Sequence, residues 1–210
     1  MGYKLFMLMG KSASGKDSIC AALVQRFGAK LRKIVPYTTR PIREGEQNGR
    51  EYFFVTPEEM EKMRAEGRVL ECRTYQVVVG EWHYFTADDG QIDTEGSHSI
   101  MIATPEVYFG MMKTKYADSI VPVYIESEDE ERLLRSIWRE RKQENPNFAE
   151  VCRRYLADEK DFAPEILEKM NIRLRFLNWQ FSSCVRIVGE AIAREMEKGE
   201  AELAIKKDLA

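Results

Sequence analysis

Leu5 to Met9 is an unbroken apolar run that stops at Gly10. A short run without polar alternation predicts a strand buried on both faces, followed by a turn. Apolar residues then recur at Ile19, Ala22, Leu23 and Phe27. That is the spacing of one helix face, so a helix is predicted from about Gly15, with Gly28 as its cap. Comparable runs return at Ile100 to Ala103, Ile120 to Ile125 and Leu174 to Leu177, separated by amphipathic stretches. Strands alternating with helices predict an α/β fold, a parallel sheet with helices on both faces.

The stretch from about Tyr37 to Ser97 breaks this rhythm. It carries Tyr52 to Val55, Val69-Leu70 and Val77 to Val79, with a short helix predicted between the first two. Thr56 and Glu59 form a capping-box pattern at that helix's start, and Pro57 suits its first turn. The block reads as a small strand-rich insertion. Further on, Glu128 to Glu131 precede Arg135, Arg139 and Arg141, an order of charges that complements a helix dipole. Arg132, Arg135 and Arg139 can share one face of that helix. Asn145-Pro146 ends it, and Asn147 with Glu150 can cap the next. After Lys198 the chain is charged and is expected to be a frayed helical end.

Composition narrows the class. With 32 Lys plus Arg against 35 Asp plus Glu, the formal charge is −3, which excludes broad charge-driven nucleic-acid binding while allowing a local basic pocket. Uncharged runs reach only about ten residues, half a membrane helix. Cys20, Cys72, Cys152 and Cys184 are scattered, with no Cys-x-x-Cys, and the first residues lack a signal-peptide pattern. A cytoplasmic protein with reduced thiols is expected. His83 and His98 are the only histidines, too few for a histidine metal site or triad.

Gly10-Lys11-Ser12-Ala13-Ser14-Gly15-Lys16 lies between a predicted strand and a predicted helix. That is the context of a phosphate-binding P-loop. Glycines let backbone N–H groups turn toward phosphate oxygens, the helix start adds a positive dipole end, and Lys16 supplies a point charge. The Ser or Thr that usually follows is replaced by Asp17, with Ser18 next. Three roles stay open for Asp17: Mg²⁺ ligand, outward-facing acid with Mg²⁺ held through water, or first-turn acid favoured by the helix dipole.

Tyr37 to Glu46 follows as a turn-rich loop with Arg40 and Arg43 three apart, then Gly49 and Tyr52. Arginine forks bind phosphate bidentately, and a tyrosine hydroxyl can add a contact; a solvated charged loop is the plain alternative. Thr-Thr-Arg-Pro-x-Arg-x-Gly-Glu from Thr38, then Gly-x-x-Tyr-x-Phe ending at Phe54, resembles the GMP-binding segment of the guanylate kinase family. Gly67 to Glu71 is also similar, and the likeness runs over about residues 3 to 195.

The resemblance implies one P-loop nucleoside monophosphate kinase domain over 1–210. It has a core (1–36 and 97–210), a monophosphate-binding insert (37–96) and a helical lid (about 135–155). It implies ATP-dependent phosphoryl transfer to GMP with Mg²⁺ as cofactor, and partners limited to small nucleotides, without nucleic acid or membrane. Gly10, Ser12, Ala13, Ser14, Gly15, Lys16, Asp17, Ser18 and Asn178 match the ATP side. Arg40, Arg43 and Tyr52 match the holders of the GMP phosphate, Glu71 the guanine reader, and Tyr84 and Thr86 the following phosphate and guanine contacts. Arg135 and Arg139 match the arginines entering the lid, Arg154 the one leaving it; with Lys16 and Arg43 they form the expected catalytic set. The chain departs from the family at Pro36 (usually serine), Phe85 (usually glycine) and Ala103-Thr104 (where acids are usual), and carries about four extra residues near Gln76 to Val79. The alternatives are a P-loop kinase for another phosphorylated acceptor and a non-catalytic guanylate-kinase-like binding module. Oligomeric state is left open.

Overall fold

The structure is a computed structural model that describes residues 2–43, 45–77, 80–93 and 96–208. Five strands form a parallel sheet: Leu5–Met9 (β1), Leu31–Lys33 (β2), His98–Ile102 (β7), Ile120–Glu126 (β8) and Leu174–Leu177 (β9), in the order β2-β7-β1-β8-β9. The register sets Leu5 against Ser99 on one side and Ile120 on the other, so β1 is central. Leu5, Met7 and Met9 pack into one core with Met101, Met111, Tyr124 and Phe162. Phe6 and Leu8 pack into the other, with residues of two long helices, Lys16–Phe27 (α1) and Phe181–Asp208 (α7). Both faces being covered is the reason β1 is apolar at every position. Each fully buried side chain of this size contributes about 1.5–3 kcal/mol, enough to fix β1 at the centre.

A second, four-stranded sheet has the order β4-β3-β6-β5: Phe53–Phe54 (β4), Tyr37–Thr38 (β3), Gly80–Ala87 (β6) and Val69–Val77 (β5). One face packs on the helix Pro57–Ala65 (α2) through Met60, Met63, Phe85 and Ala87. The capping box of α2 forms as the sequence requires, with Thr56 accepting from the Glu59 N–H and the Glu59 carboxylate returning to the Thr56 N–H. The remaining helices are Pro105–Met111 (α3), Asp129–Glu140 (α4), Phe148–Asp161 (α5) and Pro164–Lys169 (α6).

Three expectations change. Val69-Leu70 and Val77 belong to one long strand rather than two runs, while Val78 and Val79 lie outside the described residues. The helical end expected to fray is the continuous end of α7, which runs to Asp208 and packs so closely on the chain start that a Cβ on Gly199 would lie 1.9 Å from the Gly2 carbonyl. Asn147 caps α5 through the Glu150 N–H, but the Glu150 carboxylate does not return the bond, having turned to Arg153 and Arg154. Among the described residues no helix is long and apolar enough to cross a membrane.

Candidate active site

The C-terminal ends of β1, β7 and β8 open onto a crevice, where parallel sheets of this kind bind ligands. Gly10 leaves β1 with no room for a side chain, because a Cβ there would lie 2.5 Å from the Ile125 carbonyl. Ala13 (φ 60°) and Gly15 (φ 89°) both take the left-handed conformation, curling residues 10–16 into a loop that feeds α1. Behind it stands Asn178, which is 4% exposed and donates from Nδ2 to the Ser14 carbonyl at 2.8 Å. The resemblance put Asn178 on the ATP side; its amide Nδ2 props the loop from behind. Ser14 Oγ is buried and, among the described residues, has no hydrogen-bond partner. Lys16 is half-buried, its Nζ 3.5 Å from the Asp17 carboxylate, while Asp17 and Ser18 are exposed. No cluster of three metal-ligating side chains occurs among the described residues.

The loop is latched to the helices after β8. The Ser12 N–H donates to Asp158 Oδ2 at 2.7 Å, and Lys11 Nζ to Glu159 Oε1 at 2.6 Å. Arg132 pins the arrangement. It is 2% exposed, donates to Asp129 at 2.6 Å and Glu159 at 2.8 Å, lies 3.6 Å from Asp158, and stacks over Tyr155. Of the three arginines that the spacing sets on one face, Arg132 is buried, held inside by three acids and an aromatic ring. Arg135 is half-exposed and bonded to Ser127 and Glu131. Arg139 and Arg154 meet across a small cavity that also touches Ser12. Arg153 and Arg154 hold the Glu150 carboxyl down at about 2.

On the four-stranded sheet, Arg40 is 3% exposed and nearly saturated. It forms a two-pronged pair with Glu46 (2.8 and 3.0 Å), donates to the Pro41 carbonyl at 2.7 Å, and donates from Nε to the Tyr84 hydroxyl at 3.1 Å. In this conformation it positions Tyr84 rather than standing free for phosphate. Arg43 is exposed and lines a cavity of about 660 Å³ with Tyr52, Arg73, Tyr84, Arg153 and Arg154. Glu71 is buried and accepts from the Thr86 hydroxyl at 2.7 Å. Burial pushes its carboxyl up, against the pull of Arg73 and Thr86. With its hydrogen directed at Glu71, the Thr86 hydroxyl has only acceptor capacity left for a ligand.

The family departures fall into place. Phe85 faces α2 in the small core and takes no space from the cleft. Thr104 caps α3 by accepting from the Val107 N–H, and Ala103 and Pro36 line the cleft as apolar surface. A single cleft of about 460 Å³ joins the two ends, from Gly10, Ser12, Lys16 and Asp17 to Tyr52, Arg73 and Thr86. Sequence reasoning missed Asp158 and Glu159, whose partners Ser12, Lys11 and Arg132 are remote in the chain. It also missed Arg73, whose position two residues after Glu71 on a strand already put both on one face.

A family model described as guanylate kinase matches residues 2–153. The guanylate kinase of Bacillus subtilis is 33% identical over 117 residues, covering 50% of this chain and 56% of that protein. That of Syntrophotalea carbinolica is 43% identical over 67 residues, 32% and 31% of the two chains. The chain thus spans about half the length, or less, of these curated relatives, with 54% for the one from Neisseria gonorrhoeae. A crystal structure of guanylate kinase from Anaplasma phagocytophilum superposes with a TM-score of 0.60 at 21% identity, over 93% of this chain and 86% of that one.

Proposed function

Because this chain belongs to the guanylate kinase family, we propose that it transfers the γ-phosphoryl group of ATP to GMP, giving ADP and GDP. The observation that carries the reading is the shared cleft. The P-loop and the acceptor-reading sheet face one cavity, so donor and acceptor phosphates can meet away from bulk water.

An oxygen of the GMP phosphate forms the new bond to the γ-phosphorus as the bond from that phosphorus to the β-bridging oxygen breaks. The acceptor oxygen is already anionic near neutral pH, so positioning and charge neutralisation do most of the work. Lys16 and the loop N–H groups hold the donor phosphates. Arg43 and Tyr52, with the Tyr84 hydroxyl held by Arg40, take the acceptor phosphate, while Arg135, Arg139 and Arg154 close over the transferring group. Glu71 reads the guanine N1–H and 2-amino group. Mg²⁺, when bound, neutralises charge on the donor phosphates. The exposed Asp17 carboxylate at the cleft is the oxygen ligand fit to hold it, directly or through water. With free cysteines and no membrane-spanning helix among the described residues, we place the enzyme in the cytoplasm with small nucleotides as its partners. The retained Lys16 and arginines argue against a binding module without activity.

Steady-state rates with ATP on GMP, AMP, CMP and UMP test this. GMP is expected to lead, and Lys16→Ala to abolish turnover without loss of fold. AMP or CMP outpacing GMP would remove the guanine assignment; no turnover on any of the four would remove the kinase.

A further inference from the structure

On β5, Glu71 and Arg73 point to the same side, and across the hairpin they face Thr86 and Tyr84. Arg73 Nε is buried and lacks a hydrogen-bond partner among the described residues; it forms an ion pair with Glu71 Oε2 at 3.7 Å, beyond hydrogen-bond distance. The guanidinium also sits 5.9 Å from the Tyr84 ring. Arg73 lines both the central cleft and the arginine-rich cavity beside it. Its nearest carboxylate is thus the residue proposed to read the base, and the Arg73 side chain lines the space a base would fill. The pair with Glu71 is a charge contact without a hydrogen bond, which leaves Arg73 with donor capacity for a ligand.

Resting on the reading of the acceptor as a guanine nucleotide, we propose that Arg73 reads the 6-oxo group of the base and so sets acceptor specificity together with Glu71. Arg73 supplies a donor and Glu71 two acceptors, a row complementary to guanine O6, N1–H and 2-amino. Arginine is well matched to guanine O6 on chemical grounds. Adenine would set its 6-amino donor against Arg73 and its unprotonated N1 against Glu71, two mismatches in one buried site. The positive charge also keeps Glu71 in the accepting, ionised form.

The test compares GMP with 6-thioguanosine 5′-monophosphate, which keeps N1–H and the 2-amino group but replaces the oxygen. Wild type, Arg73→Met and Arg73→Lys are assayed for kcat/KM, with GMP binding followed by calorimetry. Arg73→Met is expected to lower kcat/KM and affinity for GMP by roughly 10- to 100-fold, the range for a charged hydrogen bond. It should also shrink the preference for GMP over the thio analogue to within about twofold, with partial recovery in Arg73→Lys. Wild-type preference surviving intact in a folded Arg73→Met overturns the proposal, as does an equal loss on both acceptors, which would assign Arg73 to phosphate. Wild-type protein that neither binds nor phosphorylates GMP overturns the functional reading along with it.

Discussion

Glu71 is pulled in two directions, upward by burial and downward by Arg73, with Glu106 on α3 adding to the upward side. The guanine contacts proposed for it require the ionised form, and its carboxyl lies above the ordinary 4.5. Activity on GMP should therefore fall, as pH drops, at a higher pH than a surface carboxylate would set. Removing Arg73 removes a lowering influence, so the acid limb of kcat/KM should move further up in Arg73→Met. The comparison between the two proteins cancels titration of the substrate phosphate; coincident limbs would show that Glu71 does not govern them. At this scale the sequence made residue types legible but not their commitments. Arg40 and Arg43 look equivalent in the motif, yet only Arg40 is buried against Glu46 and Tyr84. Asn178 reaches Ser14 from 164 positions away, and no local pattern announces that bond.

Elements were legible where their apolar pattern was complete. β1, β7, β8 and β9 follow from continuous runs, and α2 from its capping box. β2 was not, because Arg32 and Lys33 stand exposed beside one buried leucine and give no pattern to find. The latch between α5 and the P-loop was also invisible, since it depends on how two helices dock. It has a functional edge. Ser12 presents to Asp158 an N–H of the kind a P-loop offers to phosphate, so carboxylate and triphosphate compete for one donor. Asp158→Ala should tighten ATP binding roughly 10-fold, the value of one charged hydrogen bond. Arg132 keeps Asp129 and Glu159 as partners in that variant, so α5 should stay docked. Calorimetric titration with ATP decides; unchanged or weaker binding would show that Asp158 serves the bound state.

For the molecule as a whole, α/β alternation and the strand-rich insertion could be read from the sequence, but the order of strands in the sheets could not. Apolar runs say that a strand is buried, not which neighbour buries it. The order found has a consequence in time. β1 is made first but pairs only with β7 and β8, roughly a hundred residues further along the chain, and such distant pairing is slow to nucleate. The β5–β6 hairpin needs only a short chain reversal, on the microsecond scale of isolated hairpins. Refolding should therefore run from the periphery inward. The face that carries Glu71 and Thr86 would take shape while the strand that leads into residues 10–16 is still unpaired. Pulse-labelled hydrogen exchange during refolding should find amides of residues 69–77 and 80–87 protected before those of Leu5 to Met9. Simultaneous protection would mean that both sheets condense as one unit.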